Sequence, residues 1–202
     1  RWCASDETIL ARSRGDDWSR ADDLYRPWQL GDGRTQLFFR DREISDQIGF
    51  VYKQNDPARA VDDFFERIDS VASSAPLDAP LVSIILDGEN PWIHYPNAGE
   101  DFLHELFGRI SEADRVETVT PTDVLEDRND ASVGRLDRLA SGSWIAGDFG
   151  IWIGADETNR AWELLGETRR TLMELEGEME LSEAERKRAW NAIHIAEGSD
   201  WF

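Results

Sequence analysis

The chain has 202 residues and 40% of them are apolar, so it can bury a core of one domain or slightly more. Its 42 acidic residues outnumber 22 basic ones, and the net charge of −20 argues against nucleic acid or an anionic membrane as a partner. No stretch approaches the roughly 18 apolar residues of a membrane span. The single cysteine, Cys3, excludes an internal disulfide and a zinc site built on paired cysteines.

Lysine is scarce: only Lys53 and Lys187 are lysines among the 22 basic residues. Scarce lysine with abundant carboxylates predicts adaptation to high salt, where screening relieves repulsion between surface charges. The alternative is an acidic protein whose arginine content reflects a GC-rich coding bias.

The first elements predicted along the chain are a short strand over residues 36–39 and a helix over residues 57–73. The helix has apolar side chains at helical spacing on one face, Asp56 as N-cap and Pro57 at its first position. A buried strand is predicted for residues 81–86, a β-branched apolar run between Pro80 and a Gly/Pro cluster.

The later elements continue this alternation. We predict a helix over residues 99–110, a strand over 116–120 and a short helix over 121–126, which together indicate a parallel α/β fold. From residue 159 onward two helices joined by a short turn predict an αα-hairpin, and Ser182 with Glu185 forms the capping box of the second helix.

Two carboxylates and a tryptophan follow the predicted strand at 81–86. Asp87 and Glu89 lie at its carboxyl end, where α/β folds place catalytic groups. Trp92 follows within reach, and carboxylates beside an aromatic surface suit the hydrolysis of a sugar bond. The alternative is an ordinary acidic turn that closes a strand.

The sequence of this stretch also resembles a known enzyme family. Asp87-Gly-Glu-Asn-Pro-Trp-Ile-His-Tyr-Pro-Asn-Ala-Gly-Glu-Asp-Phe-Leu103 resembles the fourth conserved region of glycoside hydrolase family 57, whose members act on α-glucans. Gly142-Ser-Trp-Ile-Ala-Gly-Asp-Phe-Gly-Ile-Trp-Ile-Gly154 is similar to the fifth region in the α-amylase and amylopullulanase branch. Weaker blocks at residues 2–10, 39–50 and 196–202 follow in the same order.

The resemblance implies an α/β fold that is the C-terminal part of an incomplete (β/α)7 barrel followed by a helical region. Residues 1–154 would belong to the catalytic barrel, and residues 155–202 would begin a helical subdomain packing on it. The family's nucleophile is a glutamate in the third region. No stretch here matches that region, so the resemblance places the nucleophile in the remainder of the same polypeptide's catalytic domain.

The resemblance also implies roles for single residues. Asp87 would be the general acid/base of a retaining mechanism. Glu89 would tune Asp87 or bind substrate, Trp92 would stack on a glucose ring, and His94 would touch substrate. Purely structural roles for Glu89 and Trp92 remain the alternative.

The fifth-region block and the last block supply the other candidates. Trp144, Asp148 and Trp152 would line the cleft, and Trp201 near the end of the chain would bind substrate; a tryptophan-rich packing loop is the alternative. The charged set after the 36–39 strand consists of Arg40, Asp41 and Asp46, and an internal ion pair is favoured for it over a role in the cleft.

The predicted function is therefore that of a retaining glycoside hydrolase segment with an α-glucan or oligosaccharide as substrate. A 4-α-glucanotransferase or branching enzyme would use the same site, and a non-catalytic carbohydrate-binding or structural module is the alternative of a different class. The sequence shows no His-Glu-x-x-His spacing of a zinc hydrolase, no EF-hand calcium loop and no phosphate-binding glycine loop, so no metal and no cofactor are predicted. The many carboxylates leave a calcium site of another kind open.

Overall fold

The computed structural model describes residues 1–33, 35–89, 91–126, 133–178 and 181–198. The chain divides into two compact units, Arg1–Gly147 and Asp148–Phe202. The strands of the first unit are β1 (Trp2–Asp6), β2 (Trp28–Leu30), β3 (Gln36–Arg40) and β4 (Gly134–Leu136). Its helices are α1 (Glu7–Arg14), α2 (Arg20–Asp23), α3 (Arg42–Asp46), α4 (Pro57–Ser74), α5 (Glu100–Glu112) and α6 (Pro121–Glu126). The second unit contains α7 (Asp156–Glu178) and α8 (Glu183–Ala196).

The first unit is built on a four-stranded mixed sheet with the order β1-β3-β2-β4. Strand β3 pairs in parallel with β1 from Trp2 opposite Gln36 to Asp6 opposite Arg40. It pairs on its other side with β2, which is antiparallel to β3 and parallel to β4. The strand predicted at 36–39 is confirmed, and so is the α/β class. The sheet is mixed rather than parallel, because β2 lies between β3 and β4 in the opposite direction to β3.

The strand predicted at residues 81–86 is wrong. The segment forms single main-chain hydrogen bonds, from Leu81 N to Tyr25 O at 2.8 Å and from Asp41 N to Ser83 O at 2.9 Å, but no ladder. Val82 and Leu86 pack against the buried core. The run is only partly buried, since Ile84 is 38% exposed, and its apolar side chains indicate packing of Val82 and Leu86 on the core rather than a strand. Residues 116–120 are not a strand either.

The helices follow the sequence pattern closely. Helix α4 begins at Pro57, and Asp56 Oδ1 accepts a hydrogen bond from Ala58 N at 3.1 Å, as expected of an N-cap. Its apolar face is buried, and so are Phe102 and Leu106 of α5. The short helix at Pro121–Glu126 is confirmed as well.

The second unit contains the predicted αα-hairpin. Ser182 and Glu185 form the capping box, with Ser182 N donating to Glu185 Oε2 at 3.0 Å and Glu185 N donating to Ser182 Oγ at 3.3 Å. Trp190 of α8 contacts α7, because its indole N–H donates a hydrogen bond to Glu176 Oε1 at 2.9 Å. The predicted domain boundary at residue 154 stays a prediction. In the described part of the chain, no helix combines the length and apolarity needed to cross a membrane.

Candidate functional site

A buried cluster of charged side chains occupies the carboxyl ends of β1 and β3. The parallel register places Asp6 opposite Arg40, and both are almost fully buried. Arg40 Nη1 lies 3.6 Å from Asp6 Oδ2, while Arg42 Nη2 donates to Asp6 Oδ1 at 2.7 Å. Arg40 Nη2 also lies 2.5 Å from Asp46 Oδ1. The internal ion pair predicted for this set is confirmed, and the pairing offsets the free energy that isolated buried charges would cost.

Asp41, the residue after β3, is fully buried and has its own partners. Its carboxylate accepts hydrogen bonds from Arg20 Nη2 at 2.8 Å, Ile44 N at 3.0 Å and the Tyr25 hydroxyl at 3.2 Å. Burial and the neighbouring Asp41 charge raise the pKa of Tyr25. Tyr25 therefore stays protonated at neutral pH and serves as a donor to Asp41.

The segment that leads to Asp87 crosses this end of the sheet. Ile85 N donates to Ser45 Oγ at 3.2 Å, and Arg40 Nε donates to Ile85 O at 2.9 Å. Both polar groups of this residue's main chain are thus bound by side chains at the end of β3 and in α3. Two residues later Asp87 is exposed. The prediction that Asp87 follows the carboxyl end of a strand over residues 81–86 is wrong, because these residues form no strand. Instead Ile85, two residues before Asp87, is bound by Arg40 at the carboxyl end of β3.

The turn after Asp87 is closed by Trp92. The indole Nε1 donates to Gly88 O at 3.0 Å, and Trp92 N donates to Glu89 O at 3.2 Å. The ring is half-buried and packs 5.4 Å from the Tyr95 ring, measured between centroids. It also lies against Gly99, where an added Cβ would be 2.7 Å from Trp92 Cε3. Trp92 therefore fastens the Asp87 turn to the start of α5, whatever else it binds.

The other first-unit candidates lie on the surface. Glu89 and His94 are exposed. Trp144 is 42% exposed, and the Arg40 guanidinium lies over its ring at 5.4 Å from the centroid. Since Arg40 also contacts Ile85, the structure links Trp144 to the segment that carries Asp87.

The remaining candidates belong to the second unit or lie outside the described residues. Asp148 Oδ1 accepts a hydrogen bond from Gly150 N at 2.8 Å, and Trp152 O accepts one from the Trp162 indole at 2.9 Å. Trp201 lies outside the described residues. Within the described ranges no group of three or more His, Cys, Asp or Glu side chains is placed to hold a metal ion.

Sequence reasoning missed two features of this site. Asp6 was not singled out, although a carboxylate that ends a strand is a signal, and the parallel register then brings it beside Arg40. The contacts of Ser45 and Arg40 with Ile85 join residues 40 and 45 positions apart in the chain. No local pattern could have shown them.

Three comparisons relate this geometry to known proteins. The family model described as Glycosyl hydrolase family 57 matches residues 1–136, which include β1, β3 and the Asp87 turn. No curated protein matches the chain. Among solved structures, the crystal structure of 4-alpha-glucanotransferase from Thermococcus litoralis is similar with a TM-score of 0.51 at 17% identity.

That similarity covers 85% of this chain and 25% of the glucanotransferase chain, so this chain spans about a quarter of the length of its solved neighbour. At this identity the likeness concerns the fold alone. The block at residues 142–154 lies beyond the family match, and its similarity to the fifth region stays a prediction. With two thirds of its residues matched by the family model, the chain belongs to glycosyl hydrolase family 57.

Proposed function

We propose that the chain is part of a retaining glycoside hydrolase that acts on α-glucans, with Asp87 as its general acid/base. The observation that carries the proposal is the Asp87 turn. It lies within the residues matched by the family model, and Asp87 is exposed two residues after Ile85, whose carbonyl accepts a hydrogen bond from Arg40 at the end of β3. The nucleophile, in this proposal, is a glutamate outside these 202 residues.

The chemistry asks two successive tasks of Asp87. Its carboxylic acid protonates the departing glycosidic oxygen while the nucleophile, roughly 5–5.5 Å away, attacks the anomeric carbon. Its carboxylate then takes a proton from water, which cleaves the glycosyl-enzyme ester and restores the acid. Glu89, the second carboxylate of the turn, is assigned to substrate binding in this proposal.

Substrate binding is proposed for the aromatic and polar side chains around this turn. Trp144 offers an exposed ring face, suited to the apolar C–H face of a glucose unit, and His94 is exposed beside Trp92. For Asp148, Trp152 and Trp201 the support is the sequence motif alone. A partial (β/α)7 barrel over residues 1–154, followed by a helical subdomain, is likewise part of the proposal.

A transferase is the second candidate, because the solved neighbour is named as a 4-alpha-glucanotransferase. A sugar hydroxyl that replaces water in the second step gives transglycosylation from the same two carboxyl groups. The two candidates differ in their products. Hydrolysis creates new reducing ends, whereas transfer changes the length distribution of the glucan chains.

The test is the activity of the full-length protein on soluble starch and pullulan, beside its Asp87→Asn variant and an Asp78→Asn control. Asn keeps the shape of Asp but cannot transfer the proton, so we expect activity to fall by about 10²–10⁴-fold. Asp78 lies in an exposed loop, and its variant should retain activity. The assay is run at low and at molar KCl, because we also propose that the charge of −20 is an adaptation to salt.

Each outcome decides something. Full activity of Asp87→Asn would remove Asp87 from the chemistry. An inert full-length protein on all α-glucans at both salt concentrations would favour the carbohydrate-binding module. Activity that falls as KCl is added would contradict the salt adaptation alone.

A further inference from the structure

The main chain just before Asp87 is bound by side chains at both of its polar groups. Arg40 Nε binds the Ile85 carbonyl at 2.9 Å, and Ser45 Oγ binds the Ile85 N–H at 3.2 Å. Ser45 is fully buried and Arg40 is 4% exposed. This attachment lies two residues from the carboxylate, in a segment without a strand ladder.

Arg40 is itself held in one orientation. Its three guanidinium nitrogens have three different partners: Nε the Ile85 carbonyl, Nη1 Asp6 at 3.6 Å, and Nη2 Asp46 at 2.5 Å. The plane of the group lies over the Trp144 ring. Two nitrogens of the planar group are hydrogen-bonded and the third lies in ion-pair range of Asp6, which makes it a rigid support that a flexible ammonium group cannot replace.

We propose that Arg40 is a positioning residue for Asp87, which sets where the acid stands by holding the Ile85 carbonyl. The inference rests on the proposed function of Asp87. Catalytic groups must be held within about 0.5 Å of their productive position, and a misplacement of about 1 Å can lower the rate about 10²-fold. Arg40 acts through the main chain from Ile85 to Asp87 and touches no substrate in this proposal.

The matched pair of variants is Arg40→Lys and Arg42→Lys. Both arginines pair with Asp6, and both lysine variants keep the positive charge. Only Arg40 reaches Ile85, because the side-chain hydrogen bonds of Arg42 go to Asp6 and Thr8. A difference between the two variants therefore does not arise from the charge of the cluster. Because Arg40 also contacts Asp46 and Trp144, Ser45→Ala, which shares with Arg40 the contact to Ile85, assigns the difference to Ile85.

The readout is the dependence of kcat/KM on the leaving group, measured with the full-length protein on maltotetraose and on α-maltotriosyl fluoride. The sugar leaving group needs protonation by the acid, whereas fluoride departs without it. In both cases kcat/KM reports the first, bond-breaking step. A displaced acid should thus slow only the reaction of maltotetraose.

We expect Arg40→Lys to lower kcat/KM on maltotetraose by about 10–100-fold and on the fluoride by less than about threefold. Arg42→Lys should stay within about twofold on both substrates. Ser45→Ala, which removes the other support of Ile85, should show the same preference at about three- to tenfold. If Arg40→Lys fails to fold by circular dichroism, Ser45→Ala carries the test.

Two results would overturn the inference: equal losses on both substrates, which indicate a merely structural role, or parental rates for both Arg40→Lys and Ser45→Ala. The Asp87→Asn variant separates this failure from failure of the proposed function. If Asp87→Asn retains the fluoride reaction selectively while the Arg40 and Ser45 variants do not, only the positioning role fails. If Asp87→Asn shows no such selectivity, Asp87 is not the acid and the proposed function fails first.

Discussion

Strand β3 and the segment at residues 81–86 both contain apolar runs, but their main chains are hydrogen-bonded in different ways. Strand β3 is hydrogen-bonded through its main chain to β1 on one side and β2 on the other. Residues 81–86 have two single main-chain bonds, and the peptide group nearest Asp87 is held by the side chains of Arg40 and Ser45. Main-chain hydrogen bonds in a sheet persist when side chains are substituted, whereas the hydrogen bonds to Ile85 are lost when Arg40 or Ser45 is substituted.

The comparison separates stability from function. Substitutions of the apolar β3 side chains Leu37 and Phe39 should destabilise the whole first unit, because both belong to its buried core. Substitutions at the contacts of the Asp87 segment should change activity more than stability. The variants below are chosen to break or sharpen this distinction, from the largest expected effect to the smallest.

The largest effect is expected for Phe39→Ala in β3. Phe39 is fully buried, and truncation of such a ring typically costs about 3–5 kcal/mol through lost burial and the cavity that remains. Urea unfolding of the full-length protein measures the loss. Phe50→Ala is the control, since Phe50 is 56% exposed and its free energy of unfolding should change by less than about 0.5 kcal/mol. Equal midpoints for the two variants would contradict the core position of β3.

A smaller but more specific effect is expected for Trp92→Phe. The change removes the indole N–H that binds Gly88 O and keeps an aromatic face. We expect activity to fall about tenfold as the Asp87 turn loosens, with a loss of stability of only about 1 kcal/mol. Trp2→Phe, at a ring that is 46% exposed on β1, is the control and should remain active. Unchanged activity of Trp92→Phe would assign this tryptophan to its aromatic face alone.

The smallest effect is expected for Asp63→Asn on α4. The hydrogen bond from Arg67 lowers the pKa of Asp63, with a further contribution from the Tyr52 hydroxyl. A lowered pKa in the folded state stabilises the fold above the unfolded pKa, and this contribution is lost as the pH falls through the folded pKa. Because the side chain is 40% exposed, we expect less than about 1 kcal/mol.

The measurement is urea unfolding of wild type and Asp63→Asn near pH 7 and again near pH 3. Near pH 7 the free energy of unfolding of wild type should exceed that of Asp63→Asn. This difference between the two proteins should be smaller near pH 3. Activity near pH 7 should be unchanged, because Asp63 contacts Tyr52 and Arg67 and not the Asp87 segment. A difference that grows on acidification would contradict the direction of the pKa shift.

The sequence was most informative where a local pattern determines the structure. Helix α4 has a complete apolar face, an N-cap and a first-turn proline, and it forms as predicted. The capping box of α8 fixes the start of that helix in the same way. Both depend on interactions within about one turn, which a linear pattern records.

The sequence was less informative where contacts between residues far apart in the chain determine the structure. Val82 and Leu86 of the run at 81–86 pack on the core. The sequence could not show that no ladder partner adjoins this run. The antiparallel direction of β2 depends on which strands flank it. The motif predicts Asp87 as a candidate, but the contact of Arg40 with Ile85 exists only because the fold brings together residues 45 positions apart.

Gly99 precedes helix α5, and the Trp92 ring of the turn after Asp87 packs directly against its Cα, where any other residue would have a side chain. Its φ of +81° is in the left-handed region, and a Cβ there would collide with the Trp92 ring. Exchange of this loop between relatives in protein engineering therefore has a natural minimum length. A graft that includes residues 87–89 and Trp92 must therefore extend to Gly99 and the first turn of α5. A shorter graft would place the Trp92 indole against a residue with a Cβ, and the two would collide.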